Sequence, residues 1–141
     1  MKTQHGHGVL IGGKALVELG SSRSTNDTDY LVFIEDNFEQ FIFDEENHID
    51  YMNGNGSNFA EEIWNKEKDN EIASPQSLYD LKAWAMLSHF RNGNNHKLND
   101  CIFDLRFLAI NHGIEGISTL KKYITKEEAA FIAESVAMVE Q

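Results

Sequence analysis

The sequence predicts an α+β fold, a small mixed β-sheet with flanking helices followed by a short helical half. Three observations predict it. Short runs of apolar, β-branched and aromatic residues are concentrated in the first half of the chain. Beyond Pro75, the only proline, apolar residues recur at helical spacing. No repeat or Pro/Ser-rich linker interrupts the 141 residues. We therefore expect one compact unit, with a sheet core over residues 1–72 and a helical half over 73–141 packed on it.

The first half begins with a polar segment, residues 1–8, in which we expect His5-Gly6-His7 to be a mobile tail, with weak metal binding as the alternative. Val9–Ile11 then predicts a short strand that runs into the glycine pair Gly12-Gly13, and residues 14–19 predict a short helix. A polar loop leads to residues 30–34, whose β-branched and aromatic side chains predict a central strand.

Two further extended segments, residues 41–43 and 48–52, flank a turn-like sequence and could form a hairpin. Residues 53–58 are turn formers at nearly every position, and residues 59–68 have helical character. These elements complete the predicted sheet core.

The second half reads as helices. Ser74 as the N-cap residue with Pro75 at the first helical position predicts a helix start, and the helical rhythm continues from 78 to 90. A second helix is predicted over 98–111, and residues 114–141 predict one short and one longer helix, with Thr125 as a cap.

Composition excludes several classes of protein. The net charge of −11 argues against tight, non-specific binding to nucleic acid, which needs many Lys and Arg. No apolar run reaches the length of a membrane span, and the polar N-terminus lacks the apolar core of a signal peptide. The single cysteine, Cys101, cannot form a disulfide within the chain and is expected to be buried. We expect a cytoplasmic protein with no membrane contact.

The chemistry of the chain is most evident at Asp27 and Asp29. Residues i and i+2 of a strand point to the same face, so two carboxylates there repel each other unless a cation lies between them. Hard oxygen ligands suit Mg²⁺. Asp-Thr-Asp alone is typical of a polar loop, and Gly-Gly alone of a tight turn. Together they favour a nucleotide site, because Gly12 and Gly13 would let backbone N–H groups approach a triphosphate at the start of a helix. Ser21 and Thr25 could donate hydrogen bonds to phosphate or could cap a turn.

Residues 12–29 resemble the signature of the polymerase-β-type nucleotidyltransferase superfamily, most closely the abortive-infection type nucleotidyltransferase toxins and the lincosamide nucleotidyltransferases. The residues that carry the resemblance are Gly12, Gly13, Ala15, Leu16, Gly20, Arg23, Thr25, Asp27 and Asp29. The resemblance implies the nucleotidyltransferase fold and an enzyme that transfers a nucleoside monophosphate from an NTP, such as ATP, to a hydroxyl or phosphate, with release of pyrophosphate.

The resemblance also assigns roles. Asp27 and Asp29 would bind Mg²⁺ or Mn²⁺, and the Gly12-Gly13 turn would hold the triphosphate, with Arg23 and Thr25 as further members of the nucleotide site. A third carboxylate on a neighbouring strand would complete a two-metal site and help to activate the attacking hydroxyl. Asp50 is the best candidate for it and Asp44 the alternative.

The helical half matches the toxin-like group only loosely, through Lys82 and Lys97. Lys97 could contact a phosphate, with Asp100 to orient it. Alternatively, the lysines are surface charges on amphipathic helices.

Two functions of different classes are consistent with these residues. A third possibility is a globular domain that matches the motif by chance. The first is an active nucleotidyltransferase whose acceptor is a small molecule such as an antibiotic, a tRNA end or a protein hydroxyl. The second is a catalytically weak nucleotide-binding, antitoxin or partner module with the same fold. Because the helical half is short, a homodimer or a partner subunit could complete the cleft.

Overall fold

A computed structural model of the chain describes residues 1–137. The fold is α+β, as predicted, with a four-stranded mixed sheet, a two-stranded sheet and five α-helices in this range. The chain divides into two compact units, which meet between Ser74 and Pro75, two residues after the expected boundary.

The first unit contains six strands and two helices. They are β1 (Lys2–Thr3), β2 (Gly6–His7), β3 (Val9–Ile11), α1 (Gly12–Glu18), β4 (Thr28–Val32), β5 (Phe41–Asp44), β6 (Ile49–Asn53) and α2 (Asn58–Glu67). The main sheet has the order β3-β4-β6-β5, in which β4 and β6 are parallel and the other two pairs are antiparallel. The central strand and the β5–β6 hairpin are therefore confirmed, and β5 lies at an edge of the sheet.

One face of the sheet carries an aromatic cluster. Tyr30 and Tyr51 are register partners on β4 and β6, and their rings stack with centroids 6.4 Å apart. The N-terminal hairpin β1–β2 covers this pair, because the His5 ring meets Tyr51 edge-on at 4.6 Å and the Tyr30 hydroxyl donates to Sδ of Met1. The expectation of a mobile tail is wrong. Gly6, with a φ of 89°, makes the turn that folds the segment back, and the two tyrosines give it a surface to pack on.

The loop before β5 is tied to the end of β6 by the buried side chain of Asn53. Its Oδ1 accepts from the N–H groups of Ile34 and Asn55 at 3.1 and 3.0 Å, and its Nδ2 donates to the carbonyls of Asn37 and Glu39. Four hydrogen bonds from one buried amide fix where the chain enters the edge strand.

The segment that ends the first unit runs along the outer side of β3. Leu10 donates to the carbonyl of Glu71 at 2.8 Å and accepts from the N–H of Ala73 at 3.0 Å, which makes a parallel bridge to Ile72. The sequence did not predict this pairing.

The second unit contains α3 (Pro75–Arg91), α4 (Asn95–His112), a 3₁₀ turn (Thr119–Lys122) and α5 (Lys126–Val136). The predicted helix start at Pro75 is confirmed, and α4 ends on Gly113 in the left-handed conformation. Thr125 and Glu128 form a capping box at the start of α5. Residues 138–141 of the last predicted helix lie outside the described residues.

Two buried carboxylates organise the second unit. Asp80 on α3 accepts from the backbone N–H groups of Ser118 and Thr119 at 2.8 and 3.2 Å, which anchors the 3₁₀ turn. Asp104 on α4 lies 3.1 Å from Nζ of Lys82 on α3. Cys101 is buried, as predicted. Between residues 1 and 137, no helix combines the length and the apolar character needed to cross a membrane.

Candidate active site

The glycine pair lies against two residues of the predicted motif. Gly12 has a φ of 69°, and a Cβ atom built on it would lie 2.3 Å from Oδ2 of Asp29. A Cβ atom on Gly13 would lie 3.0 Å from Cβ and Oγ1 of Thr25. Gly12 and Gly13 are therefore glycines because the carboxylate of Asp29 and the side chain of Thr25 pack directly on the turn.

Asp29 and Asp50 are direct register partners on the parallel strands β4 and β6. Register partners carry their side chains on the same face of a sheet, with Cβ atoms about 5 Å apart in the antiparallel case. The same row continues to Ile11 beside Asp29 and to Phe43 beside Asp50. The sheet thus places two half-buried carboxylates side by side, next to the Gly12 turn.

The other two candidate acids lie differently. Asp27 is exposed and precedes β4 by one residue, so it is near the pair in sequence but outside the ladder. Asp44 pairs with Ile49 in the neighbouring row, which faces the opposite side of the sheet, and its carboxylate accepts from the N–H and Nδ2 of Asn47 at 3.2 and 2.8 Å. This register favours Asp50 over Asp44 as the partner of Asp29.

In the polar loop before β4, a side chain forms a hydrogen bond with the backbone of the loop itself. Ser21 is buried, and its Oγ accepts from the backbone N–H of Arg23 at 3.2 Å, so this serine caps a turn, one of the two roles considered for it. The side chain of Arg23 is half-buried.

Lys14 was not among the predicted site residues, although it directly follows the glycine pair. Its Nζ donates to Oγ1 of Thr28 at 2.6 Å, so its ammonium lies beside the residue that separates Asp27 and Asp29 in the sequence.

The predicted lysines of the helical half have their own environments. Lys82 is largely buried and forms the ion pair with Asp104 described above. Lys97 is exposed in the first turn of α4, and Asp100, expected to orient it, lies 3.9 Å from Nε2 of His96.

The donor set suits Mg²⁺ or Mn²⁺ only in part. Within residues 1–137, no group of three or more His, Cys, Asp or Glu side chains is arranged to hold a metal ion. Asp29 and Asp50 offer two adjacent carboxylates, and Mg²⁺ commonly binds through one or two carboxylates with water and substrate phosphates in the remaining positions. The pair therefore fits a metal whose remaining positions are filled by water or phosphate oxygens.

Comparison with models of known protein families, with curated proteins and with solved structures gives no significant match.

Proposed function

We propose that this chain is a metal-dependent nucleotidyltransferase that moves a nucleoside monophosphate from an NTP to an acceptor hydroxyl or phosphate. One observation carries the proposal. The Gly12 turn packs on the carboxylate of Asp29, and Asp29 is the register partner of Asp50. These are the turn and two of the three carboxylates that the resemblance assigns to the site.

Each residue has a distinct part in the reaction. The turn at Gly12 and Gly13 would bind the triphosphate and holds Asp29 and Thr25 close to the backbone at that point. Asp29 and Asp50 would hold the metal, and Asp27, one residue before β4, is the third proposed ligand. Bound Mg²⁺ or Mn²⁺ supplies Lewis-acid stabilisation of the charge that develops on the α-phosphate.

Asp50 would receive the proton of the acceptor hydroxyl. The acceptor oxygen forms a bond to the α-phosphorus while the bond to the bridging oxygen of the β-phosphate breaks, and pyrophosphate leaves. The expected compartment is the cytoplasm, because a chain with one buried cysteine forms no internal disulfide and needs no oxidising environment to fold.

Calorimetric titration of each NTP, first with Mg²⁺ and then with EDTA, tests the proposal. We expect metal-dependent binding that weakens at least about tenfold in Asp29→Asn and in Asp50→Asn. Asp44→Asn is the matched control, since it makes the same chemical change on the opposite face of the same hairpin. Equal binding by all three variants would contradict the site. Binding without any nucleotide turnover would favour the partner or antitoxin module.

A further inference from the structure

The edge strand β5 and the loop before it expose three aromatic rings. Phe38, Phe41 and Phe43 have exposed fractions of 74%, 63% and 56%. Large apolar side chains on an edge strand invite unwanted pairing, and contiguous apolar surface commonly marks a binding site.

The position of Phe43 connects this surface to the carboxylates. Phe43 is the register partner of Asp50 and therefore lies on the same face of the sheet. Phe41 lies two residues before Phe43 on the same strand, so it shares that face. Across the sheet the order is the Gly12 turn, Asp29, Asp50 and then Phe43. The aromatic surface and the glycine turn thus lie on opposite sides of the carboxylate pair.

This order has a chemical meaning if the proposed function holds. The pyrophosphate leaves from the glycine side, where the triphosphate is held. In-line displacement requires the attacking oxygen to approach the α-phosphorus from the opposite side. That side is the one on which Phe43 lies next to Asp50.

The charge around β5 restricts what can bind there. Six of the twelve residues from 35 to 46 are Asp or Glu, and none is Lys or Arg. A phosphate backbone would be repelled by these charges. A cation would be attracted by them and by the electron-rich faces of the phenylalanine rings.

We propose that the surface formed by Phe41, Phe43 and Asp50 is the acceptor subsite, and that it takes a cationic molecule with an aromatic or apolar ring near its hydroxyl. The inference rests on the proposed function for the direction of attack. Phe43 would be a positioning residue that stacks on the ring of the acceptor and directs its hydroxyl to Asp50.

Tyramine, which combines a phenol hydroxyl, a ring and an ammonium group, is a suitable probe. Its titration is followed through the backbone amide resonances of the ¹⁵N-labelled protein. The matched probe is 4-hydroxyphenylacetate, which keeps the ring and the hydroxyl but carries the opposite charge. Phe43→Thr keeps a strand-forming residue at the edge, and Phe103→Ala removes a phenylalanine of similar exposure, 51%, on α4.

We expect tyramine to shift resonances of residues 41–52. Its dissociation constant should rise at least about fivefold in Phe43→Thr, from the loss of ring stacking, and should not change in Phe103→Ala. The anionic probe should bind at least about tenfold more weakly than tyramine. Equal binding of both probes, or binding unaffected by Phe43→Thr, would overturn the inference.

Titration of Mg²⁺-NTP into the same variants separates this inference from the proposed function. Phe43→Thr should bind NTP as tightly as the original chain. If it loses NTP affinity to the same extent as tyramine affinity, the surface holds the nucleobase of the donor, and the acceptor assignment is wrong. If the original chain binds no NTP at all, the proposed function fails, whatever tyramine does.

Discussion

Replacing Gly12 with alanine tests the turn on which the site depends. An L residue in the left-handed region costs about 1–2 kcal/mol, and Gly12 has a φ of 69°. The new Cβ would also lie 2.3, 2.9 and 3.0 Å from Oδ2, Cγ and Cβ of Asp29, so the whole side chain must move, not only its tip. Holding Asp29 off its rotamer adds about 0.5–1.5 kcal/mol. Gly12→Ala should therefore lose about 1.5–3.5 kcal/mol of unfolding free energy.

Gly20→Ala is the matched control. Gly20 has a φ of 104°, and among residues 1–137 no heavy atom outside its chain neighbours lies within 4 Å of its would-be Cβ. Both variants should lose stability in urea unfolding, because both strain the backbone. Only Gly12→Ala displaces Asp29, and only it should lose metal-dependent NTP binding, by at least about tenfold. Equal NTP affinity in the two variants would refute the argument that the turn positions the carboxylate.

Three further predictions concern the helical unit, each checked by urea unfolding. Lys82→Met removes the ammonium beside the buried carboxylate of Asp104 and should cost about 3–5 kcal/mol, most of it recovered by adding Asp104→Leu; no recovery would mean that the pair is not the cause. Burial raises the pKa of Asp80, so the folded protein holds that proton to higher pH than the unfolded chain does. Its contribution to stability should therefore fall as the pH rises from the ordinary value of 3.8 through the folded pKa, and Asp80→Asn should flatten this slope; an unchanged slope would show that other groups cause it. Thr125→Ala removes the capping box and should lower the free energy of unfolding by about 1 kcal/mol; no loss would show that the cap does not stabilise α5.

Local sequence predicts the elements of this fold well. The strand before Gly12, the central strand that contains Asp29 and the helix start at Pro75 depend on residues within a few positions of each other. The N-terminal hairpin was not predicted, since its stability comes from packing on Tyr51, far away in the sequence.

In the candidate site, too, some features depend on local sequence and others on contacts between distant segments. Asp27 and Asp29, which lie just before and within the central strand, are visible in the sequence as a motif. Which acid of the hairpin joins them depends on the register of β6, because a slip of one residue would turn Asp50 to the other face. The partner of Lys82 is likewise fixed by how α3 and α4 pack, which spacing within one helix cannot show.

The strand order also sets a sequence of assembly. Phe43 and Asp50 are joined by a short hairpin and can pair early, whereas Asp29 meets Asp50 only when the parallel strands β4 and β6 come together across a long stretch of chain. The hairpin with its exposed rings should therefore form before the carboxylate pair. A chain halted at that stage would present an apolar edge before Asp29 has reached Asp50, and transiently exposed edges of this kind are prone to self-association.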